Sequence, residues 1–313
     1  MIEPTTPTVS EQQALVRQRG TLTPRAPFDF AQTLAFMRMF TPMAGEQQIA
    51  TDRLTKAVAL HGRAVVFSVS SEGTAEQPRL AYTLASATPL SEDERLALRD
   101  RISFFLSLDD DLAPFYARAA GDAALAPVIA RHYGLHQPKF LTPFEIACWA
   151  ILAQRTPRAI ARQIKDRLTT RYGSELTIDG DAYRAFPEAG TLASADPADL
   201  AALVRNERKV DYLRAVSAFF NQTDEAFLRS GPLDEVVAQL RGVRGIGEWS
   251  ARFIVVRGLG RMDAALTADE ELLGAAGRIY RAGQPLTPAE LAPLLERYGD
   301  VRGYWAFYCR AGS

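Results

Sequence analysis

Two features between residues 240 and 269 could do chemistry: a glycine-rich turn and a lone carboxylate. The turn reads Leu240-Arg-Gly-Val-Arg-Gly-Ile-Gly-Glu-Trp-Ser-Ala251, and Asp269 lies twenty residues after Trp249. Gly242, Gly245 and Gly247 can adopt positive φ values closed to bulkier residues, which would turn backbone N–H groups outward. At the N-terminus of a following helix, such N–H groups make a site for an anionic oxygen such as that of a phosphate.

The residues around the turn are expected to form the helices that position it. Residues 232–240, which begin with a proline, and residues 249–259 carry apolar side chains at helical spacing. Val243 and Ile246 are expected to anchor the turn inward. A glycine-rich turn that only joins two packed helices is the alternative, but the complete G-V-x-G-I-G pattern between helices favours phosphate binding.

Asp269 could occupy two positions at the start of a helix predicted from Glu270 to Arg281. An Asp just before a helix is usually the N-cap. However, Thr267 and Glu270 stand in the T-x-x-E relation of a capping box, in which Thr267 would cap and Asp269 would lie in the first turn with its carboxylate free. There the helix dipole would favour the ionised form, which suits a carboxylate that faces a developing cation.

The segment from Leu240 to Asp269 resembles the helix-hairpin-helix DNA glycosylases, whose motif ends in a Gly/Pro-rich loop and an essential Asp. Asp269 matches that Asp at the expected spacing. The resemblance implies that Asp269 is catalytic and that Gly242, Gly245 and Gly247 hold a DNA phosphate. It also makes a structural monovalent cation at the hairpin carbonyls conceivable.

Cysteine and lysine usage separates the branches of this family. The chain has only Cys148 and Cys309, 161 positions apart, so it cannot hold the four-cysteine iron–sulfur cluster of some members. The bifunctional members form a Schiff base through a Lys on the second motif helix. Trp249 stands at that position here, and no Lys follows Lys209. The chain therefore resembles the alkylation-type, AlkA-like branch, which acts by simple hydrolysis.

The likeness to this branch extends beyond the motif, from about residue 28 to residue 310. Residues 28–36, 144–154 and 206–213 resemble its N-terminal opening, its DNA-entering helix and its R-K-A-x-Y segment. It implies that Trp249 and Phe253 line a pocket for a flipped base, the alternative being that both are ordinary core residues. It also implies that Gln154, Arg155 and Arg158 contact DNA.

Three departures from the AlkA pattern leave the lesion range open. Arg155 replaces the apolar wedge that fills the gap left by a flipped base, although arginine can also stack and bind phosphate. The Pro that commonly precedes the catalytic Asp is replaced by Thr267-Ala268. Arg310 falls where the branch has an aromatic pocket residue.

The expected function is therefore a monofunctional DNA glycosylase that excises alkylated purines, such as 3-methyladenine, in base excision repair. The alternatives are a glycosylase for oxidised or deaminated bases and a non-catalytic lesion-binding protein. Asp269 would stabilise the oxocarbenium character of the sugar, and aromatic rings would hold a cationic base by cation–π attraction of roughly 0.5 to 2 kcal/mol per contact.

Composition fits an intracellular DNA-binding enzyme only in part. The 313 residues are 47% hydrophobic and carry a net charge of −1. Such a charge is unusual for a protein that binds DNA, because these proteins usually carry a positive net charge. Basic groups at 155–171 and at Arg208, Lys209 and Arg214 offset this locally. A solvated helix face is the ordinary explanation of the run at 155–171, but together with the hairpin motif the run favours phosphate contact. Without an apolar leader or membrane-spanning run, we expect a cytoplasmic monomer with double-stranded DNA as its partner. No cofactor is expected, and no metal at His61, His132 or His136.

The expected fold class is α+β, mainly α. Residues 1–27 are interpreted as a flexible tail and residues 28–111 as an α/β domain with an antiparallel sheet. Within that domain, strands are predicted at 63–72 and 79–87 and a helix from Ser91 to about Leu106. Residues 112–313 are expected to form a two-lobed helical domain, with the helix-hairpin-helix at 232–259 and helices almost throughout.

Overall fold

The N-terminal part of the chain forms a five-stranded antiparallel sheet. The computed structural model describes residues 15–43, 45–266 and 269–312. The strands are β1 (Val16–Leu22), β2 (Gln47–Ile49), β3 (Arg53–Leu60), β4 (Arg63–Ser71) and β5 (Leu80–Ser86). Their order in the sheet is β1-β5-β4-β3-β2, with all neighbours antiparallel. The predicted antiparallel sheet and its two predicted strands, β4 and β5, are confirmed.

The interpretation of residues 1–27 as a flexible tail is wrong for residues 16–22. These residues form β1, which pairs along its whole length with β5, for example Arg19 with Thr83. The alternating burial of β1 explains why it was missed: an edge strand needs no continuous apolar run, and Arg17 and Arg19 point toward solvent. Residues 1–14 lie outside the described part of the chain.

Two helices cover the inner face of the sheet. α1 (Phe30–Met39) begins at the N-cap Asp29, and α2 (Glu92–Leu106) begins with a capping box between Ser91 and Glu94. The second of these confirms the helix predicted from Ser91. Leu34, Phe67 and Phe105 are fully buried between helices and sheet, so apolar burial fixes both helices on this face.

The rest of the chain is mainly helical and forms two lobes. The first lobe contains α5 (Pro143–Ala153), α6 (Arg158–Tyr172), α7 (Ala189–Ala193), α8 (Pro197–Val204), α9 (Glu207–Gln222), α10 (Glu225–Ser230), α11 (Leu233–Gly242) and α12 (Glu248–Arg257), and its core is continuous with that of the sheet. The second lobe combines α3 (Ala113–Ala119) and α4 (Ala126–Arg131) with α13 (Glu270–Tyr280), α14 (Pro288–Tyr298) and α15 (Arg302–Ala311), around a separate aromatic core. The expected fold class and the helix-hairpin-helix, α11 and α12, are confirmed.

Residues 174–185 depart from the predicted helical pattern. They form a hairpin of β6 (Ser174–Ile178) and β7 (Asp181–Ala185), closed by Asp179 and Gly180, both at positive φ. An Asp-Gly pair between alternating residues is a strong hairpin signal that the sequence interpretation overlooked. Leu176, Ile178 and Ala185 pack against the outer face of the five-stranded sheet, so the hairpin joins the first lobe to the sheet.

Within the described residues, no helix is both long enough and apolar enough to cross a membrane.

Candidate active site

A cleft of about 770 Å³ opens where α1 and the two lobes meet. It gathers most of the predicted site residues, although they come from distant parts of the chain. The predicted residues on its walls are Gln154, Arg158, Trp249, Phe253 and Asp269. Other walls come from α1, through Phe36, Met39 and Phe40, and from α15, through Phe307 and Arg310.

Asp269 is the N-cap of α13, and the expectation of a free carboxylate in the first turn is wrong. Its Oδ1 accepts a hydrogen bond from the backbone N–H of Glu271 at 3.0 Å. An aspartate at the N-cap satisfies a backbone donor that the helix cannot, and it faces the positive end of the helix dipole. Thr267, which was expected to cap, lies outside the described residues. The Asp269 side chain is 15% exposed and lines the cleft.

Arg310 holds the second oxygen of this carboxylate. Its Nη2 lies 2.5 Å from Oδ2 of Asp269, and both side chains are largely buried. An arginine therefore stands in the cleft where the AlkA pattern has an aromatic ring. The pair fixes the orientation of the carboxylate, because its two oxygens are anchored by different elements of the second lobe.

Trp249 and Phe253 form a stacked pair on α12, with ring centroids 5.0 Å apart and an interplanar angle of 11°. Trp249 is 49% exposed, which is unusual for so large an apolar side chain. The alternative that both are ordinary core residues is therefore wrong for Trp249. An exposed ring stacked on a second ring offers a flat surface to another planar group.

The hairpin between α11 and α12 has the expected shape, with one correction. Val243 and Ile246 are buried as anchors. Only Gly245 adopts a positive φ, of 97°, and a Cβ there would lie 2.3 Å from the ring of Tyr212. Gly242 ends α11 and Gly247 caps α12 at negative φ, so the expected positive φ is wrong for these two. A Cβ at either would meet nothing within 4 Å, so their backbone is open to a close approach.

Gln154 connects the helix α5 to this hairpin. Its Nε2 donates a hydrogen bond to the carbonyl oxygen of Gly245 at 2.8 Å. Val243 and Gly247 carbonyls likewise accept backbone N–H groups, from Ile246 and Ala251. Each carbonyl oxygen keeps a second lone pair, so a monovalent cation at the hairpin stays a prediction.

Arg155, the residue at the wedge position, projects from a strained turn. It is exposed and adopts a φ of 49°, in the left-handed region that few arginines occupy. Lys209 holds this turn, because its buried Nζ donates to Leu152 O and Thr156 Oγ1, both at 2.5 Å. Burial lowers the pKa of Lys209. Lys209 is therefore part of the scaffold of the turn, and the expectation that it belongs to an exposed basic group is wrong.

The basic run at 155–171 is also less free than its sequence indicates. Lys165 is buried and bonded to Glu145 at 2.6 Å and to Glu46, so it is not a surface cation. Arg171 pairs with Asp199. Arg158, at the first turn of α6, pairs with Glu271 at 2.9 Å across the mouth of the cleft, where both side chains are exposed. Exposed pairs of this kind contribute little stability, so Arg158 can exchange its partner.

Sequence reasoning missed Arg257, at the end of α12. It is 7% exposed, lines the cleft, and its guanidinium lies over the Phe40 ring at 4.5 Å and the Phe36 ring at 5.6 Å. Burial and the neighbouring charge of Arg310 lower the pKa of Arg257 to about 9, so it remains a cation at neutral pH. Arg257 follows Trp249 by eight residues on the same helix, and this position was the sequence signal that could have identified it as a site residue.

Comparison with known proteins places the chain in a family. Residues 148–299 match the HhH-GPD superfamily of base excision DNA repair proteins, and the chain belongs to this superfamily. It is 25% identical over 264 residues to a DNA-3-methyladenine glycosylase of Bacillus subtilis strain 168, spanning 83% of this chain and 86% of that protein. It is 28% identical over 183 residues to DNA-3-methyladenine glycosylase 2 of Escherichia coli K12, spanning 58% and 62%.

A solved structure shares the fold. The 3-methyladenine DNA-glycosylase from Archaeoglobus fulgidus superposes with a TM-score of 0.77 at 19% identity, over 93% of this chain and 97% of that one. Together these matches confirm the family that the segment from Leu240 to Asp269 indicated.

Proposed function

We propose that the protein is a monofunctional DNA glycosylase that hydrolyses the N-glycosidic bond of alkylated purines, such as 3-methyladenine, flipped out of duplex DNA in base excision repair. The observation that carries this proposal is the position of Asp269. Its side chain lines the same cleft as the stacked rings of Trp249 and Phe253. The names of the relatives from Bacillus subtilis and Escherichia coli support the same substrate class.

Departure of the alkylated base needs little assistance from the protein, whereas the positive charge that develops on the sugar must be stabilised. An alkylated ring nitrogen makes the purine a cation, so the C1′–N bond breaks with its electron pair moving onto the base, which leaves neutral. The sugar is left with oxocarbenium character, which the Asp269 carboxylate stabilises. Water adds its oxygen to C1′ and releases a proton to the carboxylate or to solvent, which completes the hydrolysis.

No side chain in the cleft is suited to a Schiff base. The residues that line the cleft include no lysine among those that the structure describes. Lys209, the nearest lysine in sequence before the hairpin, is buried against Leu152 and Thr156. This supports hydrolysis by water and argues against a lyase step.

The surface around the cleft mouth supports binding of a DNA backbone. The free N–H groups at the start of α12 and the open backbone at Gly242 and Gly247 suit a phosphate oxygen. Arg158 can leave Glu271 for a second phosphate, and the exposed Arg155 can enter the duplex beside the extruded nucleotide. The DNA partner and these contacts are part of the proposal.

The proposal is tested by incubating the protein with methylated duplex DNA and separating the released bases by chromatography. Release of 3-methyladenine, with strand breaks that require alkali, is expected. Breaks without alkali, or a complex trapped by borohydride, would contradict the monofunctional assignment. Tight binding without base release from any lesion would instead favour a lesion-binding protein.

A further inference from the structure

The corner between α8 and α9 carries two arginines that the cleft does not use. Arg205 is the C-cap of α8, and Arg208 lies in the first turn of α9. Both side chains are exposed, and neither lines the cleft. Within the described part of the chain, neither side chain forms a hydrogen bond or an ion pair. These two residues are here called the arginine corner, and their charges can bind an anion from outside the chain.

Lys209 fixes the arginine corner to the turn that carries Arg155. It follows Arg208 in the first turn of α9 and is buried. Its Nζ donates hydrogen bonds to Leu152 O and Thr156 Oγ1, which lie on either side of Arg155 in the chain. The arginine corner and Arg155 are therefore neighbours on one surface, and a buried lysine holds their relative positions.

The hairpin lies beside the same helix, but its arginine on that side is already paired. Tyr212, one turn after Arg208, lies against Gly245, where an added Cβ would come within 2.3 Å of the tyrosine ring. Arg244 pairs with Asp211 on α9 at 3.4 Å. Asp211 thus compensates the hairpin arginine and not the arginine corner. The hairpin, the turn at Arg155 and the arginine corner form one surface, on which the corner keeps its charge.

The turn at Arg155 also separates the arginine corner from the cleft. Gln154 and Thr156 line the cleft, whereas Arg155 between them does not. A nucleotide extruded into the cleft draws its own strand to the cleft side of Arg155. In a duplex the bases lie between the two backbones, so a side chain that enters the gap has the lesion-bearing strand on one side and the undamaged strand on the other. The arginine corner lies outside the cleft, beyond Arg155, and is therefore placed to meet the undamaged strand.

We propose that Arg205 and Arg208 bind phosphates of the undamaged strand, opposite the extruded nucleotide. This inference rests on the proposed glycosylase function and adds a contact with the second strand to it. A guanidinium suits this task because its planar donors can bond two phosphate oxygens at once. Such contacts read no sequence, so the arginine corner would hold the opened duplex whatever base had been paired with the lesion. They also make binding depend on a second strand, which a single-stranded substrate lacks.

The test measures binding of one oligonucleotide that carries a tetrahydrofuran abasic-site analogue, both in a duplex and as a single strand, by fluorescence anisotropy at several salt concentrations. For the double variant Arg205→Gln/Arg208→Gln we expect duplex binding to weaken by about tenfold. The slope of log Kd against log salt should fall by about 2, which corresponds to two phosphate contacts, whereas single-strand binding should change less than about threefold.

A second double variant, Arg99→Gln/Arg214→Gln, is the matched control because it removes the same charge. Both of these arginines are exposed, and neither has a side-chain partner among the residues that the structure describes. Arg99 lies on α2, and Arg214 lies on α9 six residues after Arg208, about 120° around the helix. This control should leave duplex binding within about threefold of the wild type.

Uncharged methylphosphonates identify the strand that the arginine corner contacts. Placed in the undamaged strand opposite the abasic-site analogue, they should remove the difference in duplex binding between the wild type and Arg205→Gln/Arg208→Gln. Placed in the strand that carries the analogue, they should leave that difference intact.

Equal losses of duplex and single-strand binding would overturn the inference, as would a difference that only methylphosphonates in the lesion-bearing strand remove. A loss no larger than that of the control variant would show a general effect of charge, and the inference would fail. None of these measurements needs base release. If the wild type releases no base from any lesion while the strand dependence holds, the glycosylase proposal fails and the strand assignment stands.

Discussion

Arg310 and Asp269 form an ion pair that joins the last helix of the chain to the start of α13, with Nη2 and Oδ2 2.5 Å apart. The other carboxylate oxygen is held by the backbone N–H of Glu271. The carboxylate that would face the sugar is therefore anchored at both oxygens before any substrate arrives. Such preorganisation avoids reorientation in the transition state, although the arginine also offsets part of the negative charge.

Replacing Arg310 should therefore impair catalysis more than binding. With Arg310→Gln the carboxylate keeps only its N-cap bond and can rotate, so we expect kcat for base release to fall by about tenfold, with KM changed less than about threefold. Arg310→Lys, which keeps a cation within reach of Oδ2, should recover part of the loss. A higher kcat in Arg310→Gln would contradict this role and show that the arginine restrains the carboxylate.

Asp269→Asn distinguishes the catalytic role of the carboxylate from its role as the N-cap of α13. Asparagine caps helices about as well as aspartate, so α13 should remain intact. The loss of negative charge beside the sugar should lower kcat by about 10² to 10³-fold, while binding of the damaged duplex is retained. Single-turnover base release, fluorescence anisotropy and thermal unfolding measure the three quantities. Retention of full activity with an unchanged melting temperature would refute the assignment of Asp269.

Trp249→Ala should weaken capture of the extruded base. The lost stacking surface is expected to raise KM for methylated DNA by a factor equivalent to about 1 to 3 kcal/mol, whereas Trp249→Phe should restore most of the affinity. Tyr133→Ala is a matched control, because Tyr133 is also exposed, at 40%, and also stacks on a neighbouring ring, that of Tyr116, but does not line the cleft. Equal effects of the two alanine variants would argue against a base-stacking role.

Gly245→Ala should disrupt the hairpin, whereas Gly247→Ala should not distort it. At Gly245 the new Cβ would occupy a positive φ and collide with the Tyr212 ring, while at Gly247 it meets open space at a negative φ. We expect Gly245→Ala to weaken binding of undamaged duplex by about tenfold, because the phosphate-facing N–H groups lose their geometry. If the phosphate lies where we propose, Gly247→Ala should weaken binding without lowering the melting temperature, since its Cβ would enter the space of the phosphate. Unchanged DNA binding in both variants would show that the hairpin does not contact DNA.

The sequence predicted the parts of the molecule that depend on local pattern. The helices around the hairpin and the strands β4 and β5 follow from periodicity and glycine placement. One recognisable motif singled out Asp269, but the sequence interpretation placed it in the first turn and not at the N-cap that it occupies. The edge strand β1 was missed because a half-exposed strand needs only alternating buried and exposed residues. Arg17 and Arg19 occupy exposed positions of this strand, so no apolar run marks it in the sequence. The hairpin at 174–185 was missed although its Asp-Gly turn was readable.

Tertiary relationships account for what the sequence could not predict at the site. Nothing local indicates that Arg310 reaches Asp269, forty-one residues away, or that α1 brings Phe36 and Phe40 under Arg257. Lys165 and Lys209 looked like surface cations, because a charge run does not reveal which side chains turn inward. Those assignments need the packed structure.

Lys165 lies instead in a buried charge cluster that ties the sheet domain to the first lobe. It bonds Glu145 on α5 at 2.6 Å and Glu46 beside β2, and Glu46 also pairs with Lys56 on β3 at 3.2 Å. Burial raises the pKa of Glu46, but the charges of Lys165 and Lys56 outweigh it and lower the pKa to about 2. Burial raises the pKa of Glu145.

The depressed pKa of Glu46 predicts a pH-dependent contribution to stability. Glu46 has a lower pKa in the folded state than its ordinary value of 4.5, so its contribution is complete above about pH 5 and is lost as the pH falls toward 2. We expect Glu46→Gln to lower the free energy of unfolding by about 2 to 3 kcal/mol near pH 7, and the difference from the wild type to shrink steadily below pH 5. Urea unfolding followed by circular dichroism between pH 7 and pH 3.5 measures this difference. Glu72→Gln, which removes a carboxylate from an exposed pair with Arg79, should show less than about 1 kcal/mol at every pH. If the difference in free energy of unfolding between wild type and Glu46→Gln does not change with pH, the substitution acts through packing. Glu46 would then not be the ionised partner of Lys165 and Lys56 in the folded protein.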